Sequence, residues 1–190
     1  MGQARLPNII TFARIVLSPV FILFFSLGGE WFFAAFAVGL LFEITDFLDG
    51  AIARRHGLVT GFGKLFDPLA DSISRFTVFL CLLSVGYADL FAVALIFYRD
   101  MIVASVRTVA AYENVIVAAR FSGKLKAVFQ SVGITAVLVI ILVHRADIQA
   151  AGSHRQWARL VVWVVALVTG ATGVDYLKAN WSFIRRFARR

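Results

Sequence analysis

Residues 31–53 read WFFAAFAVGLLFEITDFLDGAIA, an apolar run that closes on two aspartates, Asp46 and Asp49. As a helix this stretch is about 34 Å long at 1.5 Å per residue, enough to cross roughly 30 Å of hydrocarbon. An ionised residue near the centre of such a segment costs on the order of 2.5–3.5 kcal/mol, so the aspartates need a polar cavity or a counter-charge. The stretch therefore reads as a membrane-spanning helix that carries a site near one end.

Apolar runs of similar length recur at 9–28, 65–86, 88–112, 124–144 and 157–178, separated by turn signals at Gly28-Gly29, Gly57 to Gly63, Gly86, Gly123 and Gly152-Ser153. Pro19 lies inside the first run and predicts a kink there. The chain has 190 residues, 61% of them hydrophobic and 16% charged, with mean hydropathy +0.85. A soluble domain keeps about a quarter of its residues charged. These features predict an all-α polytopic membrane protein, a bundle of six transmembrane helices forming one domain over 1–190, followed by a basic amphipathic tail at 179–190. In that tail Trp181, Phe183 and Phe187 interleave with arginines, a pattern suited to lying on anionic lipid.

Net charge is +8. The basic residues fall in short loops and in the tail rather than along one face, which speaks for topology and lipid headgroups and against nucleic acid. With six spans both termini share one side, and that side receives Arg5, Arg54, Arg55, Lys64, Arg120, Lys124, Lys126 and the basic tail. Arg145, Arg155 and Arg159 fall opposite, with Glu30, Asp89 and Asp147. The positive-inside bias then places both termini and the 54–64 loop in the cytoplasm. No cleavable signal is evident, and the single cysteine, Cys81, reads as an inert buried thiol.

The third run begins with Asp67 and Asp71, at the same expected depth as Asp46 and Asp49. Spacings of three and four put each pair on one helix face, and the short loop makes the two helices antiparallel neighbours. Four carboxylates brought together are untenable without a counter-charge. An oxygen-only donor set suits Mg²⁺, Mn²⁺ or Ca²⁺ rather than zinc. The plain alternative, separate pairing with Arg54, Arg55, Lys64 or Arg75, leaves the neighbouring small residues Gly50, Ala53 and Gly63 unexplained. Those residues lower the helix surface enough for a phosphate-bearing ligand to approach.

From Asp46 to Asp71 the chain reads D-x-x-D-G-x-x-A-R, eight residues, then G-x-x-x-D-x-x-x-D. This resembles the signature of the CDP-alcohol phosphatidyltransferase family, and the resemblance extends through the six-span layout over nearly the whole chain. It implies that Asp46, Asp49, Asp67 and Asp71 hold Mg²⁺ or Mn²⁺, and that Asp49, Gly50, Ala53, Arg54, Gly63 and Asp67 line the cytidine diphosphate site. It also implies that Asp71 is the general base toward the acceptor hydroxyl. The segment from Leu6 to Arg14, the Arg99-Asp100 pair with Arg107, and the stretch from Val115 through Gly123-Lys124-Leu125-Lys126 to Gln130 resemble the branch that makes phosphatidylglycerophosphate. That branch uses CDP-diacylglycerol and glycerol 3-phosphate, and candidates to hold the acceptor phosphate are Arg14, Arg107, Lys124 and Lys126.

Many members of that branch carry lysine after the last aspartate. Here Ser72-Ile73-Ser74-Arg75 follows, and Arg75 supplies a charge one turn on. Phosphatidylglycerol, inositol phosphate or inositol as acceptor are the readings nearest to this one. A divalent-cation transporter is a reading from another class, disfavoured because the carboxylates sit toward one face and no internal repeat is visible. The resemblance further implies a homodimer, the short, compact chain suggests a bacterial inner membrane, and the positive-inside bias turns the active site to the cytoplasm.

Overall fold

A computed structural model of the protein describes the backbone of residues 5–56, 61–113, 115, 121–146 and 153–187, with side chains within 12–46, 69–113, 115, 123–144 and 153–187. Among the described residues there are seven helices and no strand: α1 (Arg5–Leu27), α2 (Trp31–His56), α3 (Gly61–Ser84), α4 (Leu90–Tyr112), α5 (Phe121–Ala146), α6 (Ser153–Ala179) and the short α7 (Trp181–Phe187). Each of the six long helices contains one of the apolar runs, or nearly all of it. α1 stays helical through Pro19.

The turns have local causes. Gly28 and Gly29 have φ of 63° and 50°, left-handed values that join α1 to α2 with minimal chain. At the end of α3, the Gly86 amide donates to the Leu83 carbonyl at 3.1 Å and the Tyr87 amide to Leu82 at 2.8 Å. With Gly86 at φ 79°, this is a Schellman cap, which satisfies carbonyls that the helix end would otherwise orphan.

The helices group into two sets of three. α1 packs on both α2 and α3, and α6 packs on both α4 and α5, while α3 against α4 and α5, and α2 against α5, join the two sets. The core between them is aromatic on one side, where Phe21 stacks on Phe25 and meets Phe42 at 6.0 Å between ring centroids. It is aliphatic on the other, with Ile134, Val137, Leu138, Val162 and Val165. α5 and α6 touch where Gly133 faces Val165, and any side chain at that position would overlap the valine.

Large apolar side chains also cover the outside. Phe12, Leu23, Phe33, Phe91, Val132, Leu160 and Leu167 are all exposed, on five different helices. Two segments, Gly123–His144 in α5 and Ser153–Ala179 in α6, are long and apolar enough to cross a membrane, with mean hydropathies of 2.2 and 1.8. Phe12–Leu27 in α1 is apolar over a shorter length.

Candidate active site

α2 is helical without a break through Asp46, Asp49, Gly50, Ala53 and Arg54, and α3 through Gly63, Asp67 and Asp71. The backbone condition for two face-sharing aspartate pairs is therefore met. The side chains of Asp49, Gly50, Ala53, Arg54, Gly63 and Asp67 lie outside the described residues, so the site is built here from its other members.

Asp46 and Asp71, from neighbouring helices, meet on one guanidinium. Arg14 of α1 places Nη1 3.4 Å from Asp46 Oδ1, and the same nitrogen donates to Asp71 Oδ1. Arg75, one turn beyond Asp71 on α3, reaches back with Nη2 at 2.5 Å from Asp46 Oδ2 and 3.9 Å from Glu43 Oε2. α1 packs against both α2 and α3, which is why a residue 32 positions before Asp46 and 57 before Asp71 can bridge them.

The cluster is layered. The Arg14 side chain is only 3% exposed and that of Arg75 8%, whereas those of Asp46 and Asp71 are 29% and 30% exposed. Cations lie beneath and carboxylates face the opening. A buried guanidinium is tolerable because it is paired, and a planar fork can hold two carboxylates in fixed orientation. Local hydroxyls return to the helix rather than joining the cluster: Ser18 donates to the Arg14 carbonyl at 2.9 Å and Ser74 to the Asp71 carbonyl at 3.2 Å.

A second charged group lies between α4 and α5. Asp100 accepts from Arg99 Nη1 at 3.1 Å through Oδ1 and from Lys126 Nζ at 2.8 Å through Oδ2. A cavity of about 80 Å³ bounded by α3, α4 and α5 separates this group from the first, with Arg75, Asp100 and Gln130 as polar members of its wall. Gln130 is fully buried, and its Nε2 lies 3.5 Å from Thr169 Oγ1.

Of the four candidates for an acceptor phosphate, the structure joins Arg14 to the aspartates and pairs Lys126 with Asp100. Arg107 is exposed, with its guanidinium 5.5 Å over the Tyr176 ring, and Lys124 is exposed at the start of α5. Glu43 was missed in the sequence. Its signal was its position three residues before Asp46, on the same face of α2. Among the described residues no group of three or more His, Cys, Asp or Glu side chains is disposed to hold a metal ion. Asp46 and Asp71 nevertheless share one cationic partner, so an oxygen donor set spanning α2 and α3 fits a hard divalent cation.

A helical chain with this acidic motif on adjoining helix ends is a CDP-alcohol phosphatidyltransferase: the sequence profile of that family matches residues 4–172, and the chain belongs to it. With its apolar helices, this makes it an integral membrane enzyme of that class. It is similar to the CDP-diacylglycerol–glycerol-3-phosphate 3-phosphatidyltransferase of Bacillus subtilis, with 32% identity covering 95% of this chain and 97% of that one. The protein of the same description from Rickettsia typhi is 35% identical over 92% of this chain and 96% of its own. A probable phosphatidylglycerophosphate synthase of Mycobacterium tuberculosis is 33% identical over 93% and 83%.

Proposed function

We propose that this protein transfers the phosphatidyl group of CDP-diacylglycerol to glycerol 3-phosphate, giving phosphatidylglycerophosphate and CMP. The observation that carries this reading is the match, at about a third identity and nearly full length, to relatives described by that activity. The bridging of Asp46 and Asp71 by Arg14 supports it from the geometry.

In this reading the acceptor hydroxyl attacks the phosphorus that bears the diacylglycerol. An oxygen–phosphorus bond forms, the diphosphate bond breaks, and CMP leaves with its electron pair. Asp71 takes the hydroxyl proton, and Arg14 beneath it holds the carboxylate in place and turns its open edge toward the substrate. Arg14 is thus a positioning residue for Asp71. Asp49, Gly50, Ala53, Arg54, Gly63 and Asp67 line the cytidine diphosphate site. Asp46, Asp49, Asp67 and Asp71 would hold Mg²⁺ or Mn²⁺, which when bound would neutralise the charge that develops on the phosphates. Arg107, Lys124 and Lys126 supply positive charge toward the acceptor phosphate, which four carboxylates alone would repel.

The six long helices are read as six crossings, with both termini and the aspartates on the cytoplasmic side and α7 on the lipid surface. The chain works as one catalytic domain, as a homodimer in a bacterial inner membrane.

The test is CMP release by the purified protein in detergent with CDP-diacylglycerol and either cation. Glycerol 3-phosphate is then exchanged for inositol, inositol phosphate, serine or phosphatidylglycerol. Release that requires the cation and glycerol 3-phosphate is expected. Release with another acceptor instead would keep the class and overturn the substrate.

A further inference from the structure

The end of the bundle away from the aspartates holds a second polar cavity, of about 240 Å³, where the ends of α1, α3 and α5 meet the starts of α2 and α6. Phe25 and Phe32 form part of its floor, their rings 5.9 Å apart. Its polar wall is His144, His154, Arg155 and Tyr87. The two imidazoles stack at 4.7 Å between centroids, and the Arg155 guanidinium lies 5.6 Å over the Tyr87 ring. None of these residues takes part in the reaction derived above.

The hydrogen bonds leave a specific deficit. His144 Nδ1 lies 2.8 Å from the Ile140 carbonyl, which can only accept, so Nδ1 carries the proton and Nε2 is the free nitrogen. His154 Nδ1 is buried with no hydrogen-bond partner. Leaving such a group unsatisfied costs about 1–3 kcal/mol. Nearby Arg159 is already engaged, donating to the Gly86 carbonyl at 2.9 Å and lying 3.7 Å from Asp89.

The sign of the missing partner follows from the wall. Among the described residues no carboxylate lines the cavity, and a guanidinium does. A metal cation would meet a like charge and only imidazole donors. An anion with several acceptor oxygens would meet the Arg155 guanidinium as a donor, with the unpartnered His154 beside it. A guanidinium above an aromatic floor, at the level where the helices turn, matches a phosphate headgroup whose acyl chains continue along the exposed apolar surface. The cavity is large enough for the headgroup and too small for a whole lipid.

We propose that this cavity binds the phosphate of an anionic phospholipid in the leaflet opposite the active site. The proposal rests on the reading of the helices as membrane crossings. The probe is phosphatidylglycerol in nanodiscs carrying the full chain, with pure phosphatidylcholine discs as reference, at one fixed pH. Carbethoxylation of each histidine by diethyl pyrocarbonate is followed by peptide mass spectrometry. Phosphatidylglycerol is expected to slow the labelling of His154 by about fivefold or more, with His56, at the other end of α2, unaffected. Arg155→Gln, a change at an exposed side chain, should abolish that protection and leave CMP release intact. Equal labelling in both lipids, or full protection in Arg155→Gln, would overturn the proposal. So would equal protection by inorganic phosphate in phosphatidylcholine discs, which would make the ligand free phosphate. CMP release in the same discs reports on the catalytic reading separately, because the labelling does not depend on turnover.

Discussion

Two charged groups lie a cavity's width apart and differ in one respect. In the first, Arg14 and Arg75 are buried while Asp46 and Asp71 remain about 30% exposed. In the second, Asp100 is 10% exposed and its partners Arg99 and Lys126 are 7% and 14% exposed, so the whole group is closed. Both bring ionised side chains into a helical bundle, and both satisfy them by pairing across helices. Only the first keeps carboxylate edges available to a ligand. Openness, rather than the presence of charge, separates carboxylates that can act on a substrate from one that fixes α4 against α5 and holds Lys126 in place.

The comparison can be broken by substitution. Asp71→Asn should lower CMP release about 10²–10⁴-fold, the range for loss of a general base, and cost less stability than loss of Asp100, because Asp46 still pairs with Arg14. Asp100→Asn should do the reverse. It leaves Lys126 without its carboxylate in a closed setting, which costs about 3–5 kcal/mol of stability by denaturant unfolding, while turnover per folded molecule stays within about tenfold. Equal loss of turnover in the two variants, both folded, would erase the distinction. Arg14→Gln lies between them and should lose both turnover and stability, with Arg14→Lys recovering part of the stability but not the two-carboxylate fork.

Smaller effects sharpen the picture. Gly133→Leu forces α5 from α6 and should cost about 1–3 kcal/mol by overpacking, with substrate KM values unchanged. Arg107→Gln should raise the KM for glycerol 3-phosphate about two- to fivefold, as expected for an exposed charge, and leave that for CDP-diacylglycerol alone. A larger effect on CDP-diacylglycerol would move Arg107 to the nucleotide.

The positions of the long helices were readable because apolar length is a local signal, and the glycines at 28, 29 and 86 punctuate it where the backbone needs a positive φ. That Asp46 and Asp71 come together was readable because helical spacing and a short loop are local signals too. The partners were not. Arg14 was a candidate for the acceptor phosphate, but that it faces Asp46 and Asp71 depends on how α1 packs against α2 and α3. The pairing of Lys126 with Asp100 likewise joins residues 26 apart through helix docking, and the sequence offered Lys126 as a phosphate ligand. Glu43 sat within the quoted stretch and was hidden by the more regular aspartates beside it. His144 and His154 lie ten positions apart on separate helices, with no periodicity to link them.

The most direct test of the account is transfer of radiolabelled glycerol 3-phosphate into lipid by the purified protein. With CDP-diacylglycerol and Mg²⁺ or Mn²⁺, label should enter the organic phase as phosphatidylglycerophosphate in step with CMP release, and Asp71→Asn should lower both together. CMP release while the label stays in the aqueous phase would contradict the account.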